Sequence, residues 1–446
     1  MEVRKINNHK EKILTLSSLL HDSAKLLVTS QDKTFDYQNE ILDLLDSLDN
    51  DISKEIYKVL SDLFSDKENN ENSLAYFIEE AHRLIGLDLD SSYTYKPLKN
   101  IFSNIDIGKA DVNNEKYYLP SKINAANSFP VNEKEISEED LSKAASSFKT
   151  ELMKILKSKE SDHWADNLYS LIEKYGWSYP ERKGSKDTLV DHIHLITSIS
   201  VILYKNSQQD IDTEESFKLI GGDLSGIQSY IYDIAKINSG GVSKRLRARS
   251  FFVSILGEAI LHQLLYKLEL PQAAKIISAG GKFYLLAPNT KDTEELLIST
   301  SKMINNWFYE EFQSELYFNF ASVDFKGEKF SDFGLIYEVI NERLEKNKNH
   351  KFKEFLEDNQ SFQLDSQYGA NADLCESCNK LWSEEDSELC HFCKQDLDIG
   401  KNLTSANYIA YNFNDSNSNY DIKLFDESPI YISLLEEKIT EKDYDL

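Results

Sequence analysis

The stretch FKLIGGDLSGIQSYIYDI, residues 217–234, decides the reading of this chain. Four largely apolar residues that suit a strand run into Gly221-Gly222-Asp223, and the apolar spacing then lengthens to that of a helix. A strand, a glycine turn and a helix in that order open an α/β unit. Outward from it, a second helix is expected over residues 249–268, leading to residues 275–277, then a glycine turn at Gly280-Gly281 and the strand FYLLAP, residues 283–288. A helix over 293–312, the apolar run LYFNFASVDF (316–325) and a helix over 333–344 complete the unit.

The N-terminal side reads differently. Apolar residues recur at helical spacing over 12–28, 37–48, 52–64 and 74–84, which predicts an acidic helical bundle to about residue 90. Pro97, Pro120 and Pro130 then interrupt short β-prone pieces. Helices return over 138–159 and 164–175 and stop at Pro180, where ERKGSKD reads as an exposed loop. TLVDHIHLITSISVILY, residues 188–204, is apolar enough for a buried connecting helix capped by Asp187. Residues 412–419 read as a polar loop, and 421–425 and 429–434 as strands that open a further unit.

At 446 residues the chain has room for about three domains. Its composition, 41% hydrophobic and 28% charged, is that of a folded protein. No stretch matches a signal peptide or a membrane span, and the expectation is a cytoplasmic protein without membrane contact. The net charge of −26 opposes general binding to a phosphate backbone, so any nucleic-acid contact must be local. Residues 236–250 carry Lys236, Lys244, Arg245, Arg247 and Arg249 without an acid, and the last four are the candidate contacts; a solvated helix start is the other reading.

All four cysteines lie between 375 and 393 in the pattern C-x2-C-x11-C-x2-C. Two such knuckles present Cys375, Cys378, Cys390 and Cys393 to one tetrahedral ion, and four thiolates leave no open position, which predicts a structural zinc site. His391 lies between ligands as a bystander. His21-Asp22 followed by Lys25 resembles the signature of HD-type metal-dependent phosphohydrolases. No histidine occurs between His21 and His82, and the expectation is a degenerate HD-like bundle, although Asp191-His192 could approach in space. The α/β unit invites comparison with the palm of nucleotidyl cyclases and polymerases, where acids at a strand end and on a hairpin hold two metal ions. Here Gly222-Asp223 closes the strand, with Ser225 beyond it, but Gly280-Gly281 is followed by Lys282-Phe283 rather than two acids. A palm with one carboxylate is expected to be catalytically silent.

Taken in order, LLHDSAKLL (19–27), PLKNIFSNI (97–105), DTLVDHIHLITSISVILY (187–204), GGDLSGIQSYIY (221–232), KRLRARSFFVSIL (244–256), SAGGKFYLLAPNT (278–290) and the four-cysteine insertion resemble the large subunit of type III CRISPR RNA-guided effector complexes, in its Csm-type branch. The resemblance implies an α+β multidomain chain: an N-terminal helical HD-like domain (1–90), connecting helices (91–215), a ferredoxin-like first palm (216–345), a zinc-binding domain (346–410) and the start of an unfinished domain (411–446). It implies single-stranded DNA cleavage at His21 and Asp22 with a divalent metal such as Mn2+ or Ni2+. It also implies synthesis of cyclic oligoadenylates from ATP at a second palm, with Gly222, Asp223, Ser225, Gly280 and Gly281 on the nucleotide side of the first. CRISPR RNA and other effector subunits are the implied partners, with target RNA bound indirectly. Two departures stand out: few histidines in the HD region, and no Gly-Gly-Asp-Asp before Leu446. The expectation is a fragment whose second palm lies elsewhere. The alternatives are a non-catalytic scaffold subunit and a stand-alone HD phosphohydrolase or cyclase-like signalling protein.

Overall fold

The computed structural model describes residues 8–65, 69–70, 72–104, 115–159, 161–209, 216–232, 241–312, 315–353, 373–378, 381–382, 389–413 and 420–437. Lys236, most of the loop at 412–419, Ile105 and much of the stretch between the two cysteine pairs lie outside the described residues.

The helical part comprises α1 (His9–Leu20), α2 (Tyr37–Asp46), α3 (Asp51–Leu63), α4 (Leu74–Leu84), α5 (Glu138–Lys157), α6 (Trp164–Gly176) and α7 (Leu189–Ser207), with a small β1–β2 ladder (Thr34–Phe35 against Tyr93–Thr94). Side-chain oxygens of Asn8, Asp36, Asn50, Ser73 and Ser137 cap α1 to α5, accepting otherwise orphaned N–H groups. The helix expected over 12–28 breaks at His21-Asp22: α1 stops at Leu20, and Ser23–Leu27 forms a separate 3-10 turn. Helix α7 is capped by Thr188, whose Oγ1 accepts from the Asp191 N–H, rather than by Asp187. It packs against α1, α4 and α6 on one side and against strand β5 on the other, so helices on both sides of residue 90 share one core.

The α/β part runs β3 (Phe217–Ser225), α8 (Ile227–Tyr232), α9 (Val242–Lys267), β4 (Lys275–Ala279), β5 (Lys282–Pro288), α10 (Lys291–Phe312), β6 (Tyr317–Phe325) and α11 (Phe333–Asn347). Its four strands lie in the order β4-β5-β3-β6, every pair antiparallel, which is the split β-α-β-β-α-β arrangement. Beyond it are the short β7 (Asp373–Leu374) and β8 (Leu381–Trp382), α12 (His391–Asn402), and a three-stranded sheet of β9 (Tyr408–Asn412), β10 (Ile422–Leu424) and β11 (Ile430–Leu435) in the order β10-β11-β9. The chain is thus a mixed α+β multidomain protein.

The glycines at 221–222 do not form the expected turn. They sit inside β3, which continues through Asp223 to Ser225, and the chain turns at Gly226 with φ +95°. A Cβ on Gly221 would stand 3.0 Å from Ile340 of α11, and one on Gly222 would stand 2.5 Å from the Phe283 ring on the opposite face. Both faces of the strand are therefore filled up to its backbone. A Cβ on Gly226 would meet the Glu315 carbonyl oxygen at 2.0 Å. Gly280 and Gly281, with φ +62° and +82°, make the two-residue turn between β4 and β5 that positive φ at both positions requires.

The Gly222→Ala substitution should lower stability by about 1–3 kcal/mol, the range for overfilling a packed core. Gly334→Ala, where a Cβ meets nothing within 4 Å, should leave it within about 0.5 kcal/mol. Equal shifts of the urea midpoint for the two variants would contradict this account of the strand.

Candidate functional site

Three helix ends converge under the N-terminal bundle. His21 caps the C-terminus of α1, His82 lies in the last turn of α4, and His192 lies in the first turn of α7. All three are buried, and one ring nitrogen from each lies within 4.8 Å of the others. His21 Nε2 and His82 Nε2 are 3.1 Å apart. His21 Nδ1 stands 2.5 Å from the Ser18 carbonyl oxygen, which can only accept, so a neutral His21 donates from Nδ1 and keeps the lone pair of Nε2 for the cluster. Asp22, 1% exposed, places Oδ2 at 3.0 Å from His192 Nε2 and 3.7 Å from His21 Nε2. Lys25 Nζ donates to the same oxygen at 2.7 Å. A small cleft lined by Lys25, Asp88, Asp90, Glu181 and Arg182 leads to Asp22, His82 and His192.

The electrostatics suit cation binding. Burial pushes His21 down to about 4, against the pull of Asp22. Burial and the two neighbouring imidazoles hold His82 well below its ordinary value. Burial would raise Asp22, but Lys25, His21 and His192 outweigh it and keep the carboxyl well below the usual range. At neutral pH the site therefore offers two neutral imidazoles and one carboxylate. His192 moves the other way, because contacts with Asp22 and Glu181 overcome the cost of its burial.

The expectation of an incomplete ligand set is corrected by this geometry. The further histidines are His82 and His192, distant in sequence and adjacent in space. Asp191 is exposed and serves the α7 cap instead. The sequence carried one signal for His82: it continues the buried stripe of Ala75, Ile78 and Ala81 on a strongly amphipathic helix, where a polar residue is out of place.

The second donor group is Cys375, Cys378, Cys390 and Cys393, whose sulfurs lie within 4.8 Å of one another. Cys378 Sγ and Cys390 Sγ are 3.7 Å apart. That is far from a disulfide bond and close to the edge, about 3.8 Å, of a tetrahedron with metal–sulfur bonds of about 2.3 Å. The Cys378 and Cys393 sulfurs, together with burial, push the Cys390 thiol up. The four-cysteine cluster can hold a metal ion. It is anchored to the α/β part through α12: Arg249 Nε of α9 donates to Asp396 Oδ2 at 2.8 Å, and its Nη1 donates to the Tyr230 carbonyl.

That anchoring corrects the reading of the basic stretch. Arg245 and Arg249 are 1% and 4% exposed, and Arg247 donates to the Gly400 carbonyl at 3.0 Å. Arg247 and Arg249 thus tie α9 to α12 and Arg245 is buried, while Lys244 and Arg247 keep exposed side chains. On β3, Asp223 pairs in register with Lys282, and its Oδ2 lies 2.9 Å from Lys348 Nζ. Ser225 Oγ accepts from Asn319 Nδ2 at 2.6 Å. Gly222 is walled in by Phe283 and Phe318, while Gly281 accepts at its carbonyl from the Leu224 N–H. The five residues expected on a nucleotide surface lie at one end of the sheet, where Lys348 pairs with Asp223 and the Lys282 ammonium donates to Asn341.

Residues 216–367, the split sheet and its flanks, match a family model described as Csm1 subunit domain B. The chain is 27% identical over 450 residues to the CRISPR system single-strand-specific deoxyribonuclease Cas10/Csm1 (subtype III-A) of Streptococcus thermophilus, covering 90% of this chain and 57% of that protein. It is 26% identical over 348 residues to the protein of the same name from Thermococcus onnurineus, covering 73% and 44%. The chain is similar to Csm1 proteins over most of its length. It resembles the large subunit of type III Csm complexes and spans about half the length of the curated relatives it matches. Its fold is that of the Csm1–Csm4 cassette solved with one ATP, with a TM-score of 0.68 and 20% identity over 97% of this chain and 56% of that one. The cassette solved with cA4 gives 0.60 and 23% over 77% and 49%. Among the described residues, no helix is long and apolar enough to cross a membrane.

Two outcomes follow. His21 and His194, pushed to about 4 and about 3, and His82, held well below its ordinary value, stay neutral in the folded protein. Between pH 6.5 and those values the unfolded chain binds protons that the folded chain refuses, so stability falls as pH falls through that window. His192, raised in the folded state, contributes stability below pH 6.5 and loses it as pH climbs above its folded value. The depression of His21 alone should cost the metal-free protein about 1.5 kcal/mol from pH 6.5 to 5; urea midpoints that stay level over that range would refute the neutral cluster. Stripping the ion from the cysteine cluster should speed amide exchange around 375–393 and leave β3 protected. Uniform loss of protection along the chain would show that the cluster holds more than its own loop.

Proposed function

We propose that this chain acts as the large subunit of a type III-A CRISPR effector complex, with His21, Asp22, His82 and His192 as a metal-dependent nuclease centre for single-stranded DNA. The observation that carries this reading is the meeting of three buried imidazoles and a carboxylate from α1, α4 and α7, in a chain similar to Cas10/Csm1 deoxyribonucleases. The donor set of nitrogens and one carboxylate suits a divalent ion such as Mn2+ or Ni2+. When bound, such an ion supplies Lewis-acid activation of water and of a phosphodiester oxygen. The chain's own residues do the rest. Ser18 orients His21, Lys25 keeps Asp22 ionised in a buried place, and Arg182 at the exposed mouth offers a local cation to a phosphate in a chain of net charge −26.

In the same reading, residues 8–209 form the HD-like unit, and the split sheet is a first palm of the cyclase and polymerase kind. The palm's Asp223 is paired with Lys348, so it lends surface to an ATP site and no metal-binding pair. The four cysteines hold a structural Zn2+, since a closed set of four thiolates leaves no position for a reacting ligand. A Csm4-type subunit and CRISPR RNA are the proposed partners, by likeness to the Csm1–Csm4 cassettes.

Purified protein with Mn2+ should cleave fluorescently labelled single-stranded DNA and leave duplex intact. His82→Ala and His192→Ala should each lose on the order of 100-fold in rate, at the upper end of what disturbing a metal's surroundings costs, with zinc content unchanged. Undiminished cleavage by both variants would refute the site.

A further inference from the structure

The segment 180–188 reads as a polar surface loop, yet one of its charges is buried. Glu181 is 6% exposed, while its neighbours Arg182 and Lys183 face solvent. The loop is cinched at its base: Pro180 bridges Thr188, the Leu189 N–H donates to the Tyr179 carbonyl at 2.8 Å, and the Glu181 N–H donates to the Asp187 carbonyl at 3.1 Å. Tyr93 OH donates to the Pro180 carbonyl from the other side at 2.9 Å. A carboxylate is costly to bury without partners, so its surroundings must use it.

The carboxylate is used at His192, and the backbone carbonyl of the same residue at Lys25 beside the cluster. Glu181 Oε2 lies 3.4 Å from His192 Nδ1, on the side of the ring away from Asp22. The Glu181 carbonyl accepts from Lys25 Nζ at 3.1 Å, and Lys25 in turn holds Asp22 at 2.7 Å. We propose that Glu181 is a positioning residue for the histidine cluster, accepting the Nδ1 proton of His192 so that the Nε2 lone pair is presented, with Asp22, to a divalent cation. This inference rests on the metal-site reading and extends it.

A neutral imidazole carries one proton, and the partner of one nitrogen selects which nitrogen is left free. At 3.4 Å the contact is longer than a formed hydrogen bond of about 2.9 Å, and a bound cation at Nε2, by making Nδ1 the only protonated nitrogen, draws it shorter. Arg182, whose Nε lies 3.1 Å from Glu181 Oε1, keeps the second carboxylate oxygen occupied. The other charged groups facing His192 are Asp22 and Lys25, both already committed to each other.

The test measures Mn2+ and Co2+ affinity by competition with a fluorescent chelator, on protein whose cysteine cluster is already filled with zinc. Glu181→Leu should weaken binding by about 10–100-fold, the usual cost of losing a carboxylate behind a ligating histidine. Glu181→Gln keeps an acceptor oxygen in the same place and should recover most of that loss, a rescue that a merely space-filling residue would not depend on. In the ion-loaded protein, with Cd2+ as a diamagnetic probe, 15N shifts should show His192 protonated at Nδ1 in the parent and in Glu181→Gln. Affinity for Mn2+ and Co2+ unchanged in Glu181→Leu would overturn the proposal while leaving the site standing. If His82→Ala binds these ions as tightly as the parent, the metal-site reading itself fails and this inference with it.

Discussion

Helix α7 is buried along most of its length, and the rest of the molecule is arranged to cover it. Ile193, Ile196, Ile199 and Ile202 are fully buried between the N-terminal helices and the split sheet. At about 1.5–3 kcal/mol per buried aliphatic side chain, leaving either side uncovered would cost more than a domain's net stability. The helical and α/β parts are therefore joined by necessity. The two ends of the same helix then carry consequences. Its first turn delivers His192 to His21 and His82, and near its last turn the Asn206 amide donates to the Ser216 carbonyl at 3.0 Å, where β3 begins. One rigid element thus sets the position of the histidine cluster relative to the central strand.

Buried charge follows a consistent rule in a strongly acidic chain. Each ionised group inside is compensated nearby: Asp22 by Lys25, and Asp396 by Arg249, whose guanidinium also stacks over the Tyr230 ring at 4.6 Å. Pairs of this kind contribute little net stability, but removing one partner strands the other, so they bind elements in register. The first pair keeps the N-terminal cluster assembled. The second fixes α12, and with it the second cysteine pair, to α9. The two donor groups are therefore built on opposite principles. The histidine cluster is housed among three long helices with a large shared core, whereas the cysteines sit on short elements that lean on a neighbouring helix and on the ion they can hold.

Much of this was legible in the sequence, for a plain physical reason. Helical and strand periodicities are local, and they placed nearly every helix and two strands of the split sheet. The C-x2-C spacings are local too, since each knuckle brings two sulfurs together within four residues. What the sequence determined by itself is therefore the succession of elements and the four-sulfur cluster. Tertiary structure alone decided what depends on distance in space. It brought His82 and His192 to His21 across 61 and 171 positions, because covering α7 forces the ends of α1 and α4 onto it. It also buried Arg245, Arg249 and Glu181 inside stretches that look solvent-bound, because a charged side chain reads as exposed until its partner, Asp396 or His192, is known to lie opposite.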